Sequence, residues 1–274
     1  MKYKAIFSDF DGTIYSDSYD ISKRNIEAVR DFRARGGKFF VATGRLFQSV
    51  RPNLATLGLT EGEVIVYQGG GIFDIATGKP LWVKNIACAD AVECLRKLEN
   101  DPRENVQLTY IDDRCYSSAK HPAVDLFCSI CKIPCEIVGE KLSDYVERLG
   151  IDPTKVLAIA QPDDAYAISK EYVPQFDCRL SFTRSQKFLV EFTAYGISKG
   201  EAVKKVCEKY GLDRSEIICM GDADNDISMI EYAGLGVAVM NAMPTTKEHA
   251  DVIGASNNND AVAWVVDNYC GGDV

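Results

Sequence analysis

The chain has 274 residues, 46% of them hydrophobic, with a formal net charge of -9 and a pI near 4.9. That length and apolar content suit one large domain or two modest ones with a buried core, and they exclude a disordered chain. The acidic balance disfavours nucleic acid or an anionic membrane as the main partner, and no apolar run approaches the roughly 20 residues that span a bilayer.

The opening "MKYKAIFSDFDG" runs into acid without a small-residue cleavage site, so the chain reads as cytoplasmic. "YKAIFSDF" is a continuous apolar strand, and "ISKRNIEAVRDFRARG" carries helical spacing at Ile21, Ile26, Val29 and Phe32. A second strand "KFFVATG", a helix "LFQSVRPNLATLG" interrupted by Pro52 and a third strand "VIVYQGG" complete a pattern that predicts a parallel sheet with helices on its faces. From Leu81 the character changes. The strands "LWVKNI", "VQLTYI", "KVLAIA" and "CRLSFT" alternate with four helical patterns, as in a separate α+β module. After "FLVEFTAYG" the βα pattern resumes through "SKGEAVKKVCEKYG", "EIICMGD", "DISMIEYAG", "GVAVM", "TTKEHA" and "DAVAWVVDNY". The expected architecture is a doubly wound α/β core built from 1–80 and 188–274, with 81–187 inserted as an α+β cap; the final "GGDV" reads as a frayed tail.

The ten cysteines are scattered, mostly in apolar segments, as reduced core thiols are. One group stands out. In "HPAVDLFCSICKIPC", Cys128, Cys131 and Cys135 follow His121 and could ligate zinc, but the second half-site of a zinc motif is missing, which favours a helix with inward-facing cysteines.

In open α/β sheets ligands sit beyond the carboxyl ends of the strands, where this sequence places "DFDGT", "TGR" and "GDADND", with the helix start "SKG" beside them. Asp9 and Asp11 are two positions apart and project to one side if the chain stays extended, so they repel unless a cation or proton lies between them. With Asp222 they make a hard oxygen site, suited to Mg²⁺ rather than zinc. A carboxylate beside such an ion can attack phosphorus, and a second can protonate the leaving oxygen; Asp9 fits the first role and Asp11 the second. Gly12 permits a sharp turn, Thr43 offers a hydroxyl within the Thr43–Gly44–Arg45 turn, and Lys199 offers a compact positive charge. Singly these patterns have plain structural readings. The aspartates could cap helices, Ser198 could cap a helix whose Lys199 is solvated, and "GDADND" could belong to a calcium loop, although the closing glutamate is absent. Their order along the chain, each at a strand end or helix start, favours phosphoryl chemistry.

These four motifs resemble those of the haloacid dehalogenase superfamily, specifically the Cof-like phosphatases with a large inserted α/β cap. The resemblance implies Asp9 as nucleophile, Asp11 as acid/base with its main-chain carbonyl on the metal, and Thr43 and Lys199 as phosphate-binding and catalytic residues. It also implies that Asp222 binds Mg²⁺, that Asn225 reaches the phosphate, and that Asp226 holds Lys199 or a metal-bound water. The implied substrate is a small phosphomonoester such as a sugar phosphate, handled by a monomer or weak homo-oligomer. Where relatives carry Asn-Gly after the third strand, this chain has "YQGGG", so Gln68 marks a departure near the leaving group. A phosphomutase and a receiver-type signalling protein are the alternatives; a receiver lacks so large an insertion and a second aspartate two positions after the phosphoacceptor.

Overall fold

The computed structural model describes residues 2–271, so all but the first residue of the "GGDV" tail lies outside the described residues. The chain forms two compact units. One comprises the chain up to Gly44, Val50–Leu81 and the chain from Ser198 onward; the other comprises Arg45–Ser49 and Trp82–Ile197.

The first unit opens with β1 (Ala5–Ser8), α1 (Lys23–Ala34), β2 (Lys38–Val41), α2 (Phe47–Thr56), β3 (Glu63–Val66) and β4 (Gly71–Asp74), and β5 (Pro80–Val83) runs across the junction. It resumes with α7 (Lys199–Tyr210), β12 (Ile217–Gly221), α8 (Ile227–Tyr232), β13 (Leu235–Ala238), α9 (Pro244–Glu248), β14 (Val252–Ile253) and α10 (Ala261–Tyr269). A parallel sheet runs β14-β13-β12-β1-β2, with β1 buried throughout between β12 and β2. Continuous apolar strands of this kind need cover on both faces, which is why β1 shows no polar alternation. Ser8 sits level with Met220 on one side and Val41 on the other, so the carboxyl ends of β1, β2 and β12 finish at one edge. Packing supports that alignment: Phe7 and Phe40 stack with centroids 4.6 Å apart.

The third strand departs from the parallel expectation. β3 touches the main sheet through a parallel bridge from Ala42 to Ile65, then Tyr67, Gln68 and Gly69 take positive φ and the chain folds back as β4, antiparallel to β3. The glycines at 69 to 71 allow this reversal.

The second unit contains α3 (Cys88–Glu99), β6 (Asn105–Ile111), β7 (Arg114–Ser117), α4 (Pro122–Cys131), β8 (Cys135–Ile137), α5 (Leu142–Leu149), β9 (Lys155–Ala160), α6 (Pro162–Tyr172), β10 (Leu180–Thr183) and β11 (Leu189–Ala194). Its sheet runs β10-β11-β9-β6-β7-β8, antiparallel except for β7 against β8. The boundary expected at 187/188 needs correction: β11 pairs with β9 and β10, so the chain leaves this unit only after Ile197. Arg45–Ser49, expected in the core, likewise groups with the second unit. The apolar core here runs from Ile86 to Ile197 and includes Leu95, Val156, Val190 and Phe192.

Candidate active site

The sheet register brings distant segments together. Asp9 N–H donates to the Met220 carbonyl (2.9 Å), so the residue after β1 stands beside the end of β12, where Asp222 follows. Beside it, Ala42 N–H bonds to Ser8 O, and Thr43 is held from both directions: its N–H donates to Ile65 O (2.9 Å) and its carbonyl accepts from Gln68 N–H (3.1 Å). Ser198 caps α7 by accepting from Glu201 N–H. Lys199 therefore begins the helix, yet it is fully buried rather than solvated.

Lys199 Nζ donates to Asp9 Oδ1 (2.5 Å) and to Asp226 Oδ1 (2.6 Å). The other Asp226 oxygen accepts the N–H groups of Asp222 (3.0 Å) and Ala223 (3.1 Å), so this carboxylate is fully engaged in positioning the lysine and the turn. Carboxylate oxygens of Asp9, Asp222 and Asp226 lie within 4.8 Å of one another. Asp9 Oδ2 is buried and has no hydrogen-bond partner, an unusual state for a carboxylate oxygen. The Asp11 side chain stands outside this trio, although its charge acts on both Asp9 and Asp222.

Crowded, dehydrated carboxylates hold their protons. Burial first, with added repulsion from Asp226 and Asp11, outweighs the Lys199 charge and raises Asp9 to about 7. Burial and then Asp9 and Asp226 raise Asp222 to about 9. The two neighbouring carboxylates hold Lys199 well above the ordinary lysine range despite its burial. Ionised together, the three carboxylates would carry more negative charge than the one ammonium offsets. An orphaned carboxylate oxygen, an oxygen-only donor set and this excess charge fit a hard divalent cation.

Gly12 has φ +79°, and a Cβ there would lie 2.5 Å from Asp222 Oδ2, so only glycine lets the first loop approach that carboxylate. Its carbonyl accepts from Asn241 Nδ2 (2.8 Å). Gly44 serves a similar purpose for Gln68, whose Nε2 would be 2.4 Å from a Cβ at 44. Gln68 is buried with left-handed backbone, and its Oε1 accepts from Asn225 Nδ2 (2.8 Å). It links the loops after β2 and β12, a role that its place as a sequence departure hinted at without revealing. Asn225 Oδ1 remains buried without a partner. Arg45 is also buried, with Nη1 donating to Ser49 Oγ (3.4 Å), and it groups with the second unit rather than the acidic trio.

The favoured reading, one helix with inward-facing cysteines, does not hold for this group: Cys128 on α4 lies with Cys135 on β8 and Cys115 on β7, and Cys131 is not in the close group. His121 caps α4 by accepting from Ala123 N–H through Nδ1 (3.1 Å).

Comparison with known proteins places the chain in a family. Residues 6–266 match the family description of haloacid dehalogenase-like hydrolases. The chain is 29% identical to 5-amino-6-(5-phospho-D-ribitylamino)uracil phosphatase YcsE of Bacillus subtilis over 97% of this chain and 95% of that protein. It is also 29% identical to the chloroplastic endoribonuclease YBEY of Arabidopsis thaliana, where it covers 98% of this chain but spans only 47% of the relative. A crystal structure of a haloacid dehalogenase-like hydrolase from Bacteroides thetaiotaomicron superposes with a TM-score of 0.83 at 26% identity, covering 97% of this chain and 99% of the other. A receiver-type signalling role does not survive a match of this extent. The chain belongs to the haloacid dehalogenase-like hydrolase family, as a phosphomonoester hydrolase of its Cof-like branch.

Proposed function

We propose that the chain is a Mg²⁺-dependent phosphatase that hydrolyses small phosphomonoesters, sugar phosphates or metabolites of similar size, through a phosphorylated Asp9. The observation that carries this reading is the state of Asp9: one oxygen is fixed by Lys199, the other is buried and unpartnered, and the carboxylate lies within 4.8 Å of that of Asp222. Asp9, Asp222 and the Asp11 main-chain carbonyl are the groups that would hold the ion. When bound it neutralises carboxylate and phosphate charge that would otherwise repel.

The chain's own residues divide the work. Asp9 Oδ2 attacks phosphorus, and the substrate's ester oxygen leaves as the alcohol with a proton from Asp11. Asp11 then takes a proton from water, which attacks the acyl phosphate and restores Asp9 with release of inorganic phosphate. Lys199 steers the nucleophile and balances charge on the phosphoryl oxygens, while Thr43, Gly44 and the Gly12 turn bind those oxygens. Asn225 Oδ1 is a buried, unsatisfied acceptor. Sequence similarity to the Bacillus subtilis 5-amino-6-(5-phospho-D-ribitylamino)uracil phosphatase YcsE supports a sugar-phosphate-like substrate.

The test is phosphate release from p-nitrophenyl phosphate and a panel of sugar phosphates, nucleotides and cofactor phosphates. Turnover is expected with Mg²⁺, is expected to vanish in chelator, and is expected to fall to background in Asp9→Asn. Substantial activity in that variant would overturn the assignment of the nucleophile; isomerised sugar phosphate without free phosphate would replace hydrolysis by mutase chemistry.

A further inference from the structure

Sulfur is gathered at one edge of the second unit. Cys115 on β7 lies level with Cys135 on β8, the last strand of the sheet, and their Sγ atoms are 3.8 Å apart. Cys128, from the last turns of α4, completes a trio whose sulfurs all lie within 4.8 Å. We propose that Cys115, Cys128 and Cys135 form a binding site for one thiophilic metal ion of the zinc class, separate from the acidic site.

Sulfurs on a tetrahedral ion bound at about 2.3 Å stand a little under 4 Å apart, which the Cys115–Cys135 separation already meets and Cys128 reaches by a small rotation. The three cysteines come from a strand, a helix and an adjacent strand, so their convergence is not the stripe of one amphipathic helix. Cys115 is buried, whereas Cys128 and Cys135 are half-buried, which leaves an approach for the ion. That approach is a cavity of about 380 Å³ lined by Lys120, Asp125, Cys128, Lys132 and Cys135 among others. Asp125, one helical turn before Cys128, offers an oxygen for the fourth position. The two lysines offset the charge of a trithiolate centre.

The thiolate is the ligating form, so the three thiols would release their protons to solvent on binding. The missing half-site of the linear motif is thus supplied by Cys115, which lies ahead of His121 in the chain and became adjacent only through strand pairing.

Cobalt(II) titration of the reduced, full-length protein tests the site, because sulfur-to-cobalt charge-transfer bands report thiolate ligands and are not produced by a carboxylate site. One equivalent is expected to develop the bands, and zinc is expected to bleach them. Cys128→Ser and Cys135→Ser are expected to abolish them with an unchanged far-ultraviolet circular dichroism spectrum, while Cys131→Ser is expected to keep them. Zinc is expected to shield Cys128 and Cys135 from iodoacetamide while exposed Cys178 still reacts. Absence of the bands, their survival in Cys128→Ser or Cys135→Ser, or equal alkylation with and without zinc would each overturn the proposal.

Discussion

Asp9 and Gln68 show how individual side chains define this site. Both raised carboxyls have a consequence for stability. Asp9 at about 7 and Asp222 at about 9 lie above their ordinary 3.8, so the metal-free folded state binds more protons than the unfolded chain. Their stabilising contribution is complete below about pH 4 and is lost as pH rises through those values. A divalent ion competes with the same protons. In chelator the melting temperature is therefore expected to fall between pH 5 and pH 9, and the increment produced by Mg²⁺ to grow across that window. A constant increment measured by differential scanning fluorimetry would contradict it. Gln68 makes a second residue-level case. Gln68→Ala removes the acceptor for Asn225 Nδ2 and is expected to cost about 1 kcal/mol in urea unfolding, with a lower kcat/KM because Asn225 loses its anchor. The motif aspartates, Thr43 and Lys199 were legible because each sits at a strand end or helix start with distinctive neighbours. Gln68's bridging was not, since it depends on left-handed backbone at Tyr67 to Gly69 that no residue type demands.

At the level of strands, buried charge explains what the sequence concealed. β11, "LVEFTA", is buried at every position including Glu191, whose Oε1 accepts from Lys155 Nζ on β9 while its other oxygen accepts from Ser185. A lysine at the head of "KVLAIA" reads as a solvated strand end, yet only 2% of Lys155 is exposed. Because such a pair leaves no trace in hydrophobic alternation, β11 read as the return to the core. β7, β8 and β14 were missed for a simpler reason: at two to four residues they are too short for periodicity to register. Glu191→Ala strands a buried ammonium and is expected to destabilise this unit by about 3–5 kcal/mol, whereas the paired replacement Lys155→Met with Glu191→Leu is expected to recover most of that loss. Equilibrium unfolding of the single and double variants decides it; equal losses would show that packing rather than charge sets the cost.

For the molecule as a whole, the two units differ in how the chain enters them. The buried apolar core of the second unit draws on residues between Ile86 and Ile197, supplied by α3, α5 and α6 and by every strand of its sheet except β8. A fragment spanning 82–197 is expected to fold by itself, with a cooperative urea transition and native-like circular dichroism. A non-cooperative transition would show that it depends on the rest of the chain. The alternation of strands and helices made the two-part organisation legible, because an α/β pattern that stops and resumes signals an insertion. The place of re-entry was not legible, since the exit strand carries the buried glutamate described above.

The first unit allows no comparable shortcut. Ala5 must align with Ile217, and Lys199 must settle between Asp9 and Asp226, so the Asp9 carboxylate is delivered early and its partners late. On a ribosome, the inserted module emerges and can mature while β1 still waits for its neighbour. The acidic site consequently assembles only after the inserted module has been made, and a translation product that stops before Lys199 carries Asp9 without the ammonium that pairs with it.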